Sequence, residues 1–340
     1  MIDSEWRAID GTPGDVLRDC LLAAIAAPSV HNTQPWLFRL HDRAVDVLVD
    51  TRRRLTVLDP QGREMFVSVG AALFNLRVAL RSRGRQAQVQ LMPDPTEPDL
   101  AARVVAPPAT GQSPTALALA GAIPRRHTNR QPFADRPVPD EVMAELSAAA
   151  TAENATLVVA DTASRDGVLS LTRTAENRLL RDPRYQDELA RWTTVGGVGR
   201  SDGVPRQALG PRDSDAAIPM RDLARGQGAP TAVVAFERDP TIALLFTAGD
   251  SPSDWLRAGA ALQRVLLTAT LRGLAATPLS QLTEIPPLRQ LLADMHTGQI
   301  VQTVLRLGYA TTPAVPTPRR PLADVLVPAE QPGTPRGDIP

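Results

Sequence analysis

The sequence predicts an α+β protein built of two related halves, with helices wrapped on a mostly antiparallel sheet. Three observations carry that expectation: a repeated helix, a repeated helix–turn–strand run, and strand candidates rich in β-branched residues. Residues 67–84 read VSVGAALFNLRVALRSRG and residues 256–273 read LRAGAALQRVLLTATLRG. Aligned without gaps, both carry Gly-Ala-Ala-Leu at the same place and both end on Arg-Gly, putting Gly84 and Gly273 where a helix C-cap belongs. Gly70 and Gly259 are small enough to let a helix backbone approach another helix or a ligand closely.

The remaining elements follow in chain order. A helical segment from Asp15 to Ala24 passes through a polar elbow, Pro28–Trp36, into a strand at Leu37–Leu40. Its echo runs from Glu141 to Ala150, through Glu153-Asn154-Ala155, into a strand at Thr156–Ala160; a plain turn stands where the first copy has the elbow. Arg43–Asp50 is a strand by its alternating Val45, Val47 and Val49. Thr231–Phe236, Ile242–Thr247 and Ile300–Leu307 are further strands by their β-branched content. Residues 93–118, rich in Pro, Ala and Thr, read as a connection, giving a first half at 1–118 and a second at 119–326. Residues 195–230 carry Gly, Pro, Asp and Arg with little periodicity, which suits a lid, a binding loop or disorder. From Val327 to Pro340, four prolines and two glycines predict a flexible, unpacked tail.

Composition narrows the function classes. With 340 residues, 43% hydrophobic and 22% charged, the chain is ordinary for a globular protein. Lys+Arg and Asp+Glu both number 37, so no bulk field favours nucleic acid or a membrane surface. The sequence contains no lysine, so any phosphate must be held by arginine forks, histidine or backbone N–H groups. Cys20 is the single cysteine and falls in an apolar helix, leaving no disulfide and little prospect of sulfur chemistry. His31, His41, His127 and His296 are scattered without metal-ligand spacing. The acidic, polar start Met1-Ile-Asp-Ser-Glu-Trp is no signal peptide and no apolar run suggests a membrane span, so the expected location is cytoplasmic.

The elbow concentrates the polar chemistry. Ser29, His31, Asn32, Thr33 and Gln34 lie between Pro28 and Pro35, whose fixed φ angles set the shape in advance. Such a loop suits a flat, heteroatom-rich ligand, and it equally suits a capped helix end followed by a polar turn. Farther on, Arg125-Arg126-His127-Thr128-Asn129-Arg130 places three arginines in six residues before Pro132-Phe133. Cations at a helix start oppose its dipole unless an anion is present, so the stretch suits a phosphate site, and on residues alone a solvated basic stretch stays open beside it.

Ala27-Pro-Ser-Val-His-Asn-Thr-Gln-Pro-Trp36 resembles the motif of the FMN-dependent nitroreductase family, and its His-Asn-Thr-Gln variant is similar to the Acg-like branch, the actinobacterial putative NAD(P)H nitroreductases. The resemblance runs from about residue 14 to 326 and implies cofactor-binding roles for Ser29, His31, Asn32 and Gln34. Arg125, Arg126, His127, Thr128 and Arg130 match the segment that binds the FMN phosphate and ribityl chain, with Thr128 where Ser is usual. One extra residue before Phe133 leaves the arginine register open by one. Arg319 and Arg320 match the closing segment that also reaches the phosphate. Pro278, Leu279, Ser280 and Gln281 match the loop along the isoalloxazine ring, where a main-chain N–H faces N5; Ser280 and Gln281 replace the usual acid and glycine. Tyr185–Trp192 and Asp202–Pro205 resemble a segment of the Acg-like branch. His31 and His127 either contact the cofactor or shape their loops.

Family members are dimers with FMN between subunits, so the repeat plus the motifs imply a fused pseudo-dimer with one complete site, acting as a monomer or, alternatively, a dimer. The resemblance implies an oxidoreductase without catalytic side chains: NAD(P)H gives hydride to flavin N5, and an electron-poor acceptor such as a nitroaromatic or quinone takes it. Arg130 is the candidate cation for the N1/O2 side. Two other readings stay open, a flavin-sequestering storage protein closed by the 195–230 segment and a flavin-free structural relative. Neither metal, nucleic acid nor membrane is an expected partner.

Overall fold

The computed structural model describes residues 12–109, 111–194, 200–225, 231–293 and 298–328. The first part of the chain forms α1 (Gly14–Ile25), β1 (Trp36–Leu40), β2 (Val45–Val49), α2 (Arg63–Ser82), β3 (Gln88–Leu91), β4 (Leu100–Val105) and α3 (Pro114–Ala122). Next come α4 (Asp140–Thr151), β5 (Thr156–Val159), α5 (Thr162–Leu179) and α6 (Pro183–Trp192). Four two-residue strands follow: β6 (Thr193–Thr194), β7 (Val204–Pro205), β8 (Arg212–Asp213) and β9 (Val233–Val234). The chain then forms β10 (Thr241–Thr247), α7 (Pro252–Leu271), β11 (Ala275–Pro278), α8 (Pro286–Ala293), β12 (Ile300–Gly308) and β13 (Leu326–Val327).

The strands build two main sheets rather than one, ordered β13-β1-β2-β4-β3 and β11-β12-β10-β5. Without β13 the two orders are the same pattern, β1-β2-β4-β3 against β5-β10-β12-β11, and every pairing within that pattern is antiparallel. β13 adds in parallel beside β1, with Phe38 opposite Leu326 and Arg39 opposite Val327. The second half thus lends a strand to the first half's sheet, and Val327 is paired where a free tail was expected. Residues 329–340 of that tail lie outside the described residues.

The repeated helices α2 and α7 cross at the centre. A Cβ on Gly70 would collide with the Leu256 carbonyl, and one on Gly259 would collide with that of Val67. Val67 and Leu256 are counterparts in the repeat, so the contact is reciprocal, as at a two-fold subunit interface. Both helices terminate as expected, on Gly84 (φ 72°) and Gly273 (φ 71°), and α7 opens with a Ser251–Asp254 capping box. Around the crossing, one apolar core takes residues from both halves, including Leu21, Trp36, Leu73, Leu146, Leu256 and Leu305. Of the described helices, only α2 is long and apolar enough to cross a membrane, and 89% of that window is buried.

Two expectations need correction. The supposed connection 93–118 contains β4 and the start of α3, so it is regular structure rather than a linker. Flanking prolines hid a strand whose Leu100, Ala101, Ala102 and Val104 are all buried, and an Ala-rich helix capped by Ser113. The expected strand 231–236 shrinks to Val233–Val234, paired with β8. The segment 195–230 belongs to an insertion between β5 and β10, where the first half has only the tight hairpin His41–Ala44, closed by His41 N–H donating to Ala44 O at 2.9 Å. Residues 195–199 and 226–230 lie outside the described residues; 200–225 dock on the first half. Val204, Leu209 and Leu223 pack with Leu55 and Leu58, and the Glu188 carboxylate accepts from the backbone N–H of Val57 (3.0 Å) and Leu58 (2.9 Å).

Candidate functional site

The apolar face of α1 (Leu17, Cys20, Leu21, Ala24) is buried against the core, which fixes where its C-terminal carbonyls land. After them the chain turns through three non-glycine residues with left-handed backbone, His31 (φ 46°), Asn32 (φ 54°) and Gln34 (φ 50°). Each such residue costs about 1–3 kcal/mol and persists only when its surroundings over-determine it. Here they do. Ser29 Oγ accepts from Gln34 N–H (2.9 Å) and Ser68 Oγ accepts from Val30 N–H (3.3 Å). Asn32 Nδ2 donates to Gly203 O (2.9 Å) and Pro318 O (3.1 Å), and its Oδ1 accepts from Arg319 (3.2 Å). Gln34 donates to Ser201 O (2.9 Å) and accepts from Arg320 N–H (2.8 Å). Asn32 and Gln34 therefore staple the elbow to the insertion and to the C-terminal arm.

Beside the elbow opens a cleft whose empty space, open solvent included, is about 820 Å³. Its walls are Pro28–His31, one stripe of α2 (Glu64, Val67, Ser68, Ala71), Leu262 of α7, Thr128 and Arg130, Thr277–Ser280, and Thr303. Met220, Arg221 and Leu223 of the insertion complete it. Both halves are needed to close it.

The electrostatics are lopsided. Arg126 is 5% exposed, and among the described residues its Nε has no hydrogen-bond partner while its Nη2 donates to Ala26 O at 3.4 Å. Burial, and then Arg319, pushes its pKa down to about 9. Arg319 donates to Ala26 O (3.2 Å) and Ala27 O (3.1 Å), also leaves Nε unpartnered, and is pushed down to about 10 by burial. Arg130 donates to Ala208 O at 2.9 Å and is lowered to about 10 by burial and then by Arg221. None of the three has a carboxylate partner among the described residues. Both ring nitrogens of buried His31 are likewise unpartnered; burial, then Arg221 and Arg130, hold its pKa well below the usual histidine range. His127, half-buried, is lowered by burial and then by Arg126 and Arg319. Arg221, by contrast, is satisfied by Glu284, by the Tyr185 hydroxyl (2.6 Å) and by Ser280 Oγ (3.3 Å).

Of the residues nominated from sequence, Ser29, His31, Thr128, Arg130, Pro278, Leu279 and Ser280 line the cleft. Asn32, Arg126 and Arg319 stand just behind its elbow wall, around the carbonyls that precede Pro28. Arg125 is not brought there: it is exposed, with Nε donating to Gly121 O at 3.2 Å. His127 also lies off the lining. Gln34 and Arg320 bond to each other, and buried Gln281 donates to Pro219 O (3.0 Å), holding the insertion. Sequence reasoning missed Glu64, Ser68, Arg221 and Thr303; the first two share the three-to-four spacing of the Gly-Ala-Ala-Leu helix, the only available signal. Among the described residues, no group of three or more His, Cys, Asp or Glu gathers as a metal site would require.

Comparison with known proteins adds the following. Residues 123–309 match the profile of the nitroreductase family. The chain is 36% identical over 319 residues to a Mycobacterium tuberculosis protein provisionally named an NAD(P)H nitroreductase, covering 92% of this chain and 91% of the relative. It is 33% identical over 325 residues to the acg protein of the same organism, under the same provisional name, covering 92% and 95%. Superposition on the FMN-dependent nitroreductase NfnB of Mycobacterium smegmatis, solved with NADPH, gives a TM-score of 0.38 at 18% identity, over 62% of this chain and 96% of that one, an overlap too loose to argue from.

Proposed function

The chain belongs to the nitroreductase family, and on that premise we propose that it is an FMN-dependent oxidoreductase taking hydride from NAD(P)H and passing it to an electron-poor acceptor such as a nitroaromatic or quinone. One observation carries the cofactor: Arg126 is a buried cation, Arg319 and Arg130 are half-buried ones, and none of them has a carboxylate partner among the described residues. An unpaired buried charge costs several kcal/mol, so the folded chain is unfinished until an anion arrives. A flavin phosphate fits that donor set, with the open Nε atoms of Arg126 and Arg319 as its first ligands. Thr128 would add a hydroxyl, Ser29 and His31 would meet the polar middle of the cofactor, and Pro278–Ser280 would flank the ring. When bound, the flavin supplies the two-electron chemistry; the protein binds, orients and shields it. We read the halves as dividing within α3, with this one complete site between them.

A second reading has support of its own. Met220, Arg221 and Leu223 form a wall of the cleft, and the insertion is tied down by Asn32, Gln34 and Gln281. A lid held so firmly favours a protein that stores flavin and admits no second ligand. Soaking the purified protein in FMN and then mixing it rapidly with NADPH or NADH separates these readings. Flavin bleaching within catalytic times is the expected result. A retained flavin that only dithionite reduces would replace the enzyme with the store, and a protein that stays colourless would end both.

A further inference from the structure

Glu64 is a carboxyl that the proposed chemistry has not used. It sits in the first turn of α2, lines the cleft, and is 8% exposed. Among the described residues only Oε1 is engaged: Arg63 donates to it, and the Thr283 hydroxyl lies 3.5 Å away while donating to Ser280 O at 2.9 Å. Arg63 itself is shared out, to Gln302 O (2.6 Å), Gln302 Oε1 (3.2 Å) and Thr283 O (3.2 Å). Oε2 takes no hydrogen bond among the described residues.

The cleft runs along α2 from Glu64 towards the carbonyls gripped by Arg126 and Arg319. Along α2, Glu64, Val67, Ser68 and Ala71 form one stripe, and seven residues at 1.5 Å rise separate Glu64 from Ala71 by about 10 Å. One turn beyond Ala71, Asn75 donates to Ala23 O at 2.9 Å, close to the carbonyls that Arg126 and Arg319 grip. The Glu64 end instead abuts the turn 280–284. An anionic group held by the arginines leaves Glu64 at the far end, where the reacting ring and its acceptor would lie.

Resting on the flavin reading, we propose that Glu64 is the proton donor to the acceptor. For a quinone, one carbonyl oxygen takes a proton from Glu64 while the acceptor gains a hydride equivalent from the reduced cofactor. The carboxyl O–H bond breaks, a hydroquinone O–H forms, the cofactor is left oxidised, and the carboxylate recovers its proton from solvent. The surroundings suit a protonated acid. Facing Glu64 are Arg63 on its own helix, Asp59 in the preceding turn, Glu284 after β11 with its partner Arg221 from the insertion, and Arg289 on α8. Burial outweighs Arg63 and, with Glu284 and Asp59, raises its pKa to about 7.

The test uses Glu64→Gln in the dithionite-reduced holoprotein, mixed with benzoquinone or with ferricyanide, which takes electrons without protons. Reoxidation by benzoquinone should slow by about 100-fold and reoxidation by ferricyanide should change by less than about 2-fold, as loss of a general acid predicts. In flavin-free protein, difference infrared spectra should show a carboxylic-acid C=O band at neutral pH that is lost in the variant. Equal slowing with both oxidants, no slowing with either, or an unchanged band would overturn the proposal. A wild-type protein that retains no FMN would defeat the flavin reading separately, and the infrared comparison would still decide whether Glu64 holds a proton.

Discussion

The elbow after α1 and the turn after α4 occupy the same place in the two halves, and they resolve their charges in opposite ways. In the second half a single residue, Asn154 (φ 58°), takes the left-handed backbone. Its neighbour Glu153 is buried and neutralised, accepting from Arg77 (2.7 Å) and Arg264 (3.0 Å). In the first half three residues take that backbone, and among the described residues both His31 nitrogens lack partners and Arg126 and Arg319 have no carboxylate. On our proposal, the binding site lies on the side that leaves its polar groups unfinished.

The strongest way to break this comparison is to finish the unfinished side. Arg126→Met with Arg319→Met removes one buried and one half-buried cation while keeping apolar volume. Flavin affinity should fall by about 1,000-fold, near 4 kcal/mol, while the flavin-free protein should gain about 1–4 kcal/mol because uncompensated charges have gone. Equilibrium dialysis with FMN and urea unfolding measure the two changes. Retained yellow colour would move the phosphate elsewhere.

The reverse change sharpens the other side. Glu153→Ala leaves Arg77 and Arg264 facing each other, side chains 23% and 25% exposed. That exposure lets water relieve part of the loss, so about 2 kcal/mol of stability should go, with flavin content unaltered. Urea midpoints and flavin absorbance report both.

The smallest expected effect is a slope. His31 is neutral in the folded chain because burial lowers its pKa below the ordinary 6.5. Unfolding frees it to bind a proton, so its contribution is intact above that value and is lost as pH falls below it, at up to about 1.4 kcal/mol per pH unit. His31→Asn tolerates the same backbone and does not titrate, so its unfolding free energy should vary less between pH 7 and 5. An identical slope in both proteins would mean that His31 is solvated.

Much of this was legible in the chain. The Gly-Ala-Ala-Leu repeat marked two helices able to approach a helix or a ligand closely, and the structure shows that they approach each other. Arg126 and Arg319, far apart in sequence, were both nominated from local motifs. What stayed hidden depended on rotation and on distance. Arg125 and Arg126 are indistinguishable as letters, yet the short helical turn ending at Arg125 sends one to solvent and the other inward. Glu64 reads as an ordinary first-turn acid favoured by a helix dipole. Arg221 lies in an aperiodic stretch whose docking only the tertiary structure reveals, and β4 was masked by the prolines around it.

The arm carrying Arg319 and Arg320 reaches Asn32 and Gln34 across 287 and 286 residues of sequence. Bridging so long an interval is entropically slow, and such contacts form late in folding. On the flavin reading, colour should therefore lag behind helix formation during refolding, making uptake of FMN a clock for the last step rather than a scaffold for the first.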